Sequence, residues 1–190
     1  SQVISAGRIV DDALFAARGT VAPIGLDSMK APKVTAADFR IPAREGETSV
    51  IGVVPGRIIT EHLRMTPPTQ DGETLAVFGQ DAVKVAVVER HGINGGIGRG
   101  FVHGFGLKHG AIASSIGHDS HNICVVGASD EDMALAVNRL GEIRGGFAVV
   151  RDGAILAELA LPVAGLMSDG SFESVRDALI PLRAAAKSLG

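Results

Sequence analysis

Short apolar runs alternate with polar, glycine-containing segments over most of the chain, and this pattern predicts strands. Residues 3–10 predict a strand, a turn and a second strand. The β-branched runs at 49–59, 82–88, 111–116 and 122–126 have the composition and length of buried strands, and Pro-Gly interrupts the first of them. A sheet is therefore the predicted centre of the structure.

Helical spacing of apolar residues appears only in the last third of the chain. Ser129 is a favourable N-cap, and apolar residues recur on one face over residues 130–143. A second helix is predicted to begin after Ser171, with a kink or a break at Pro181. The sequence thus predicts two long helices near its C-terminal end.

The segment between the two predicted helices carries a hairpin signal. Asp152-Gly153 lies between two apolar runs and predicts an antiparallel hairpin near residues 147–160. Residues 19–48 are expected to be irregular with short strands, residues 66–73 to form a loop, and the glycine-dense residues 92–110 to form tight turns of a loop. These elements predict an α+β fold, a mixed sheet with packed helices. A TIM barrel, which needs about 250 residues of strand–helix units, is not predicted.

Composition narrows the possible functions of this 190-residue chain. The net charge is −3 without a basic block, and Trp and Tyr are absent, so nucleic acid is not an expected partner. The apolar runs are too short to span a bilayer, and no secretory signal is visible, so the cytoplasm is the expected location. The lone Cys124 excludes an internal disulfide and a cysteine-based zinc site.

The densest group of chemically active side chains is His118, Asp119 and His121. Imidazole can bind a metal or transfer protons near neutral pH, and an adjacent carboxylate can fix its tautomer. The same residues are also typical of a well-bonded turn, and the sequence alone leaves both interpretations open. A complete metal site is not predicted, because zinc usually takes three or four protein ligands.

Three further features are candidates for other chemistry. Ser114-Ser115 lies beside the histidine cluster, but no Gly-x-Ser-x-Gly elbow surrounds it, which favours buried hydrogen-bonded serines over a nucleophile. The glycine-dense segment lacks the spacing of a dinucleotide or Walker phosphate loop. Arg90-His91 follows a predicted strand, a position at which functional groups are common.

Seven segments, in order, resemble the C-terminal part of microbial adenine deaminases of the amidohydrolase superfamily, and together they cover nearly the whole chain. The segments are residues 53–62, 87–92, 100–107, 110–115, His118-Asp119-Ser120-His121-Asn122, 130–139 and 161–169.

This resemblance implies an enzyme with a metal-dependent barrel, a small β domain and an additional C-terminal domain, which converts adenine and water to hypoxanthine and ammonia in purine salvage. It implies that residues 1–20 are a remnant of the small β domain or a linker, and that residues 21–190 are the C-terminal domain, truncated at its end. The divalent metal, which the resemblance gives as Mn, Fe or Zn, is expected in the missing barrel, because this chain has no His-x-His pair. The segment alone is therefore expected to be inactive.

The resemblance also implies roles for the histidine cluster and for the nearby serines. His118, Asp119 and His121 are expected to cap the mouth of the barrel, in contact with the substrate or with the groups around it. Ser114, Ser115 and Ser120 are expected to contact the substrate. The expected partners are adenine, the missing barrel domain and further copies of the enzyme. Two alternatives remain: a stand-alone binding or assembly domain without catalysis, and an independent hydrolase that uses Ser115 and His118.

Overall fold

A sheet of eight strands organises the protein in the computed structural model, which describes residues 2–17, 19 and 21–190. In chain order the strands are β1 (Ile4–Ser5), β2 (Arg8–Ile9), β3 (Thr48–Val53), β4 (Thr60–Met65), β5 (Thr69–Gln70), β6 (Glu73–Thr74), β7 (Ala82–Val88), β8 (Ile97–His103), β9 (Ala111–Ser114), β10 (Ile123–Gly127), β11 (Gly146–Arg151) and β12 (Ala154–Ala160). The helices are α1 (Asp12–Ala16), α2 (Asp130–Glu142) and α3 (Phe172–Lys187), with 3-10 turns at Ala36–Phe39 and Phe78–Gln80.

The large sheet is mixed and open. Its strand order is β12-β11-β9-β10-β7-β8-β3-β4. The β3–β8 pair is parallel and the other neighbouring pairs are antiparallel. Since β12 and β4 are edge strands of this sheet, it does not close into a barrel. The predicted α+β fold with a mixed sheet and packed helices is confirmed.

The two long helices pack on opposite faces of the sheet, because the side chains of a strand alternate between the faces. On one face, Met133 and Leu140 of α2 join a buried cluster with Ile123 and Val125 of β10. On the other face, Leu182 of α3 belongs to a second buried cluster, which covers β11 and β12. The core therefore lies in two layers, one on each side of the central strands.

The hairpin and the first long helix form where the sequence predicts them, and one carboxylate connects them. Asp152 and Gly153 both have positive φ, +53° and +75°, as a two-residue hairpin turn of the predicted kind requires. The Ser129 side chain accepts a hydrogen bond from the Asp132 backbone N–H and caps α2. The Asp132 carboxylate in turn accepts from the backbone N–H groups of Asp152 and Gly153. The start of α2 is thereby fixed to the hairpin turn.

The glycine-dense segment departs from the prediction of a loop. Its residues Ile97–His103 form β8, which pairs with β7 over its whole length and also with β3. Gly98 and Gly100 lie opposite Val87 and Val85 in this ladder. Pairing with β7 along the whole strand, and with β3 at residues 101–103, holds the segment extended, although glycine itself disfavours a strand.

Three smaller predictions are also corrected. Residues 66–73, expected to form a loop, contribute to the short β5–β6 hairpin, and β4 was not predicted at all. Ile58 lies outside any strand and is fully exposed. Helix α3 continues through the exposed Pro181, so the predicted break is wrong, while a kink at that residue stays a prediction. Packing of Leu182 on the sheet anchors the helix next to Pro181. The division between residues 1–20 and 21–190 stays a prediction, and Arg18 and Thr20 at this boundary lie outside the described residues.

Candidate functional site

The candidate site lies at one end of the large sheet, where several loops converge. Because neighbouring strands are antiparallel, β7, β9 and β12 end at the edge where β8, β10 and β11 begin. The connections at residues 89–96, 115–122 and 161–171 therefore meet at this edge. They bring Arg90 and His91 beside the His118–Asn122 turn, which the sequence places far away.

The His118–Asp119 pair projects from this edge into solvent. His118 Nδ1 lies 2.9 Å from Asp119 Oδ1, and both side chains are 91% exposed. An ion pair so exposed contributes little to folding stability, because water screens it and both side chains lose entropy. The fold therefore does not depend on this pair for its stability, and the pair is accessible to a second molecule or domain.

The remainder of the turn is more constrained than its tip. Asp119 and His121 have positive φ, +64° and +50°, a conformation that costs non-glycine residues energy. The His121 backbone N–H donates to the Gly117 carbonyl at 2.7 Å and closes the turn. The His121 Nδ1 and Asn122 Oδ1 atoms are buried and lack a hydrogen-bond partner within the described structure. Contacts from other segments must hold such a turn.

The three serines of the predicted site lie in different surroundings. Ser115 is fully buried, and its hydroxyl donates to the Gly165 carbonyl and accepts from the Gly146 N–H. The half-buried Ser114 accepts from the Ile116 N–H at 3.1 Å, and the exposed Ser120 accepts from the Asn122 N–H at 3.4 Å. Ser115 thus matches the interpretation as a buried hydrogen-bonded serine. Substrate contacts of all three serines stay a prediction.

Arg90 is the residue of this site to which sequence reasoning gave no role. Its side chain is only 2% exposed, and its guanidinium donates to the His121 carbonyl through Nε and to the Ala164 carbonyl through Nη2, the latter at 3.1 Å. Burial lowers the pKa of Arg90 below its ordinary value, but an arginine remains charged in proteins. In the sequence, the position of Arg90 after a predicted strand was the signal that could have pointed to this role.

Glu89 and His91, on either side of Arg90, hold the adjoining loops. Burial acts to raise the pKa of the Glu89 carboxyl, but backbone N–H groups of the next loop, including those of Gly95 and His91, donate to it and bring that pKa below its ordinary value. His91 Nε2 lies 2.9 Å from the Ser120 carbonyl, which requires the proton on Nε2. Both residues therefore fix backbone around the His118–Asn122 turn.

The three loops that meet at this edge also carry exposed apolar side chains. Ile93 is 81% exposed, Met167 57% and Ile116 38%, and each belongs to one of the three loops at this edge. Apolar side chains exposed near a polar centre are typical of surfaces that bind another molecule. This edge therefore combines features of a polar site and of an interface.

The described residues do not fit a divalent metal centre. Within residues 2–17, 19 and 21–190, no group of three or more His, Cys, Asp or Glu side chains is placed to hold an ion. The His118–Asp119 pair offers two such residues, fewer than a zinc site requires. Cys124 is partly buried, and burial raises the pKa of its thiol, which disfavours the thiolate that binds metals.

No described helix is both long enough and apolar enough to cross a bilayer.

Comparison with known proteins identifies consistent similarity along the whole chain. The family profile described as adenine deaminase C-terminal domain matches residues 57–190. The chain is 64% identical over 188 residues to adenine deaminase 1 of Rhizobium meliloti, 62% over 190 residues to adenine deaminase 1 of Agrobacterium fabrum, and 61% over 188 residues to adenine deaminase of Brucella abortus. These alignments cover 99–100% of this chain and 32–33% of each relative. The chain thus spans about a third of the length of these curated relatives.

Proposed function

The chain belongs to the adenine deaminase C-terminal domain family, and on this premise we propose that it acts as part of an enzyme that hydrolyses adenine to hypoxanthine and ammonia. The proposal includes a role in purine salvage, a cytoplasmic location and assembly into a homo-oligomer. The metal, Mn, Fe or Zn, is proposed to be bound by a barrel outside these residues. When bound, it supplies hydroxide at neutral pH by lowering the pKa of water. Residues 1–190 alone are therefore proposed to be inactive.

Within such an enzyme, the loop edge of the sheet is proposed to cap the active site. The observation that carries this proposal is the exposed His118–Asp119 pair, at a sheet edge whose three loops also carry exposed apolar side chains. We call the exposed side chains of Ile93, Ile116 and Met167 the apolar rim. Burial of this rim against another domain removes apolar surface from water and so stabilises the contact. The rest of the deaminase is the proposed occupant, because the relatives have about two thirds of their length outside the matched region.

The proposed chemical role of the cap is to contact the substrate and exclude water. The Asp119 carboxylate, 2.9 Å from His118 Nδ1, favours a proton on that nitrogen and leaves Nε2 to meet a hydrogen-bonding group of the purine or of the barrel. His121, Ser114 and Ser120 are proposed to line the inner side of the cap. Closing the active site against water strengthens the electrostatic interactions inside it.

The proposal is tested by His118→Ala and Asp119→Asn in the full-length enzyme. Both side chains are 91% exposed, so neither change is expected to lower the melting temperature measurably. We expect kcat/KM for adenine to fall at least tenfold in His118→Ala. His109→Ala is the matched control, because His109 is exposed beside the opposite end of β9. If His118→Ala and Asp119→Asn both keep the parental kcat and KM, the proposed role of the pair in the active site is wrong.

The exposed apolar rim also fits a second function, a binding or assembly domain without catalysis. Its side chains Ile93, Ile116 and Met167 would then bind a separate protein. The intact mass of the native gene product and its adenine deaminase activity discriminate between the two functions. A native chain of this length without activity supports the assembly domain, and a chain about three times longer with activity supports the enzyme.

A further inference from the structure

We propose that Arg90 is a positioning residue that holds the His118–Asn122 turn from behind and so directs the His118–Asp119 pair into the active site. This inference rests on the proposed function, because it assigns that pair to the active site of the intact enzyme. It adds a residue that lies in another loop, the connection at residues 89–96, and does not itself reach the surface.

Arg90 joins segments that are far apart in sequence. It stands two residues after the end of β7, and its guanidinium donates to the carbonyl of His121, 31 positions away, and to that of Ala164, 74 positions away. Its own carbonyl accepts from the Lys30 N–H at 2.8 Å. One side chain therefore fixes the distance between the His118–Asn122 turn and the loop that follows β12.

The turn needs such external contacts because its own conformation is costly. Asp119 and His121 both have left-handed φ values. Each such residue costs on the order of 1 kcal/mol or more and persists only when the surroundings impose it. Arg90 holds the His121 carbonyl, and His91 holds the Ser120 carbonyl at 2.9 Å. The turn is thus fixed at two successive carbonyls while its tip remains exposed.

The charge of Arg90 is difficult to explain by stability alone. Among the described residues, no carboxylate forms an ion pair with its guanidinium, so a buried cation is met by neutral carbonyl groups. Burial of a charge without a counter-ion is costly, and an apolar side chain often fills such a place with equal or greater stability. The guanidinium is a rigid, planar group with several N–H donors, and it can bind the His121 and Ala164 carbonyls at once. An apolar side chain could fill the same space but could not bind them.

The surroundings of the guanidinium leave it little freedom. A Cβ added at Gly165 would lie 2.7 Å from Arg90 Nη1 and 2.9 Å from Arg90 Cζ. Gly165 also has a φ of +70°, which a side chain disfavours. Close packing against this glycine confines the guanidinium to the position from which it reaches both carbonyls.

The test uses Arg90→Met and Arg90→Lys in the full-length enzyme, with Arg139→Met as the matched control. Arg139 also joins distant elements, through ion pairs with Glu158 and Glu142, but it lies on α2. We expect amide hydrogen exchange of His121, whose N–H donates to the Gly117 carbonyl within the turn, to accelerate at least tenfold in Arg90→Met, while the interior of β7 and β10 stays protected. Arg139→Met is expected to leave exchange at His121 unchanged. Unchanged exchange of the turn in Arg90→Met would overturn the inference.

Steady-state kinetics separates positioning from general destabilisation. We expect Arg90→Met to lower kcat/KM at least tenfold, mainly through kcat, and to add less than a twofold loss in a His118→Ala background. Losses that multiply in the double variant would show that Arg90 does not act through the turn. Arg90→Lys keeps the positive charge but not the planar guanidinium. We therefore expect its kcat/KM to lie between the values of wild type and Arg90→Met. If Arg90→Met does not fold, exchange and kinetics of Arg90→Lys decide the question.

The two proposals can fail separately. If His118→Ala is fully active but Arg90→Met releases the turn, the active-site role of the pair is wrong and Arg90 is a structural residue. If His118→Ala is impaired but Arg90 and His118 act independently, the proposed function stands and the positioning role of Arg90 is wrong.

Discussion

The hydroxyl of Ser115 donates a hydrogen bond of 2.6 Å to the carbonyl of Gly165, 50 positions along the chain. The same oxygen accepts a hydrogen bond of 2.7 Å from the Gly146 N–H. Ser115 thus connects the end of β9 to the start of β11 and to the loop after β12, directly beneath the candidate site. A small polar residue of this kind is buried because both of its hydrogen-bonding functions are satisfied.

Ser115→Ala is expected to destabilise this chain by about 1–3 kcal/mol, because the Gly146 N–H and the Gly165 carbonyl would be buried without their partner. Urea unfolding measures the change. Ser168→Ala is the control, since the Ser168 hydroxyl accepts from the Gly170 N–H in an exposed turn, and a change within about 0.5 kcal/mol is expected. Equal effects of the two changes would contradict the structural role of Ser115.

Gly165→Ala is expected to destabilise the chain more than Gly153→Ala. Both glycines have positive φ, +70° and +75°, so both substitutions bear the cost of left-handed backbone, about 1–2 kcal/mol. An added Cβ meets nothing within 4 Å at Gly153, whereas at Gly165 it collides with the Arg90 guanidinium. Overpacking adds roughly 1–3 kcal/mol, and thermal unfolding of both variants measures the difference. Equal melting temperatures would show that the Arg90 side chain can move away from the added methyl group without a loss of stability.

Lys84→Met is expected to be one of the most destabilising changes of a charged residue. Lys84 is only 8% exposed. Its ammonium contacts the carboxylates of Glu73 and Asp130, and Lys84 Nζ lies 2.8 Å from Asp130 Oδ2. Removal of one partner of a buried ion pair lowers the free energy of unfolding by roughly 3–5 kcal/mol. We expect a loss at the lower end of this range, because water still reaches part of both carboxylates. Lys108→Met, at an exposed position, is the control.

The cost of Lys84→Met is expected to shrink as the pH falls from 7 to about 4. Burial already raises the pKa of Asp130 above its ordinary value, although Lys84 acts to lower it. Without Lys84 that pKa rises further, so the folded variant binds a proton before the unfolded chain does and gains stability as pH falls. Urea unfolding at several pH values checks this, and a deficit independent of pH would contradict the explanation.

Glu89→Gln is expected to lower the melting temperature at pH 7 and to matter progressively less in acid. Burial acts to raise the pKa of Glu89, but the backbone N–H groups that bind the carboxylate outweigh it and lower that pKa overall. The resulting stability is present above the ordinary carboxyl pKa of about 4.3 and is lost as the pH falls through the lowered folded-state value.

Thermal unfolding of Glu89→Gln and wild type between pH 7 and pH 3 tests this dependence. Glu47→Gln serves as the control, because Glu47 is exposed and forms no hydrogen bond or ion pair with another described side chain. A difference between Glu89→Gln and wild type that persists unchanged at pH 3 would show that the charge of Glu89 is not the cause.

The sequence predicted those elements whose signals are local. The Ser129 cap with its apolar face specifies α2, and Asp152-Gly153 specifies the β11–β12 hairpin, because a cap or a tight turn depends on a few adjacent residues. Strand β8 could not be predicted in the same way. Its glycines lack an intrinsic preference for a strand, and they are kept extended by pairing with β7, which no local pattern in the segment indicates.

The sequence by itself determined the α+β class, the family and the presence of the His118–Asp119–His121 group, because periodicity, turn residues and an ordered set of motifs are properties of the chain alone. Only the tertiary structure decided that His118 and Asp119 are exposed, that Ser115 is buried and that Arg90 reaches the His121 carbonyl. Exposure and long-range hydrogen bonds depend on which strands become neighbours. In an antiparallel sheet that order brings together loops from positions 90, 120 and 165, and no local pattern encodes it.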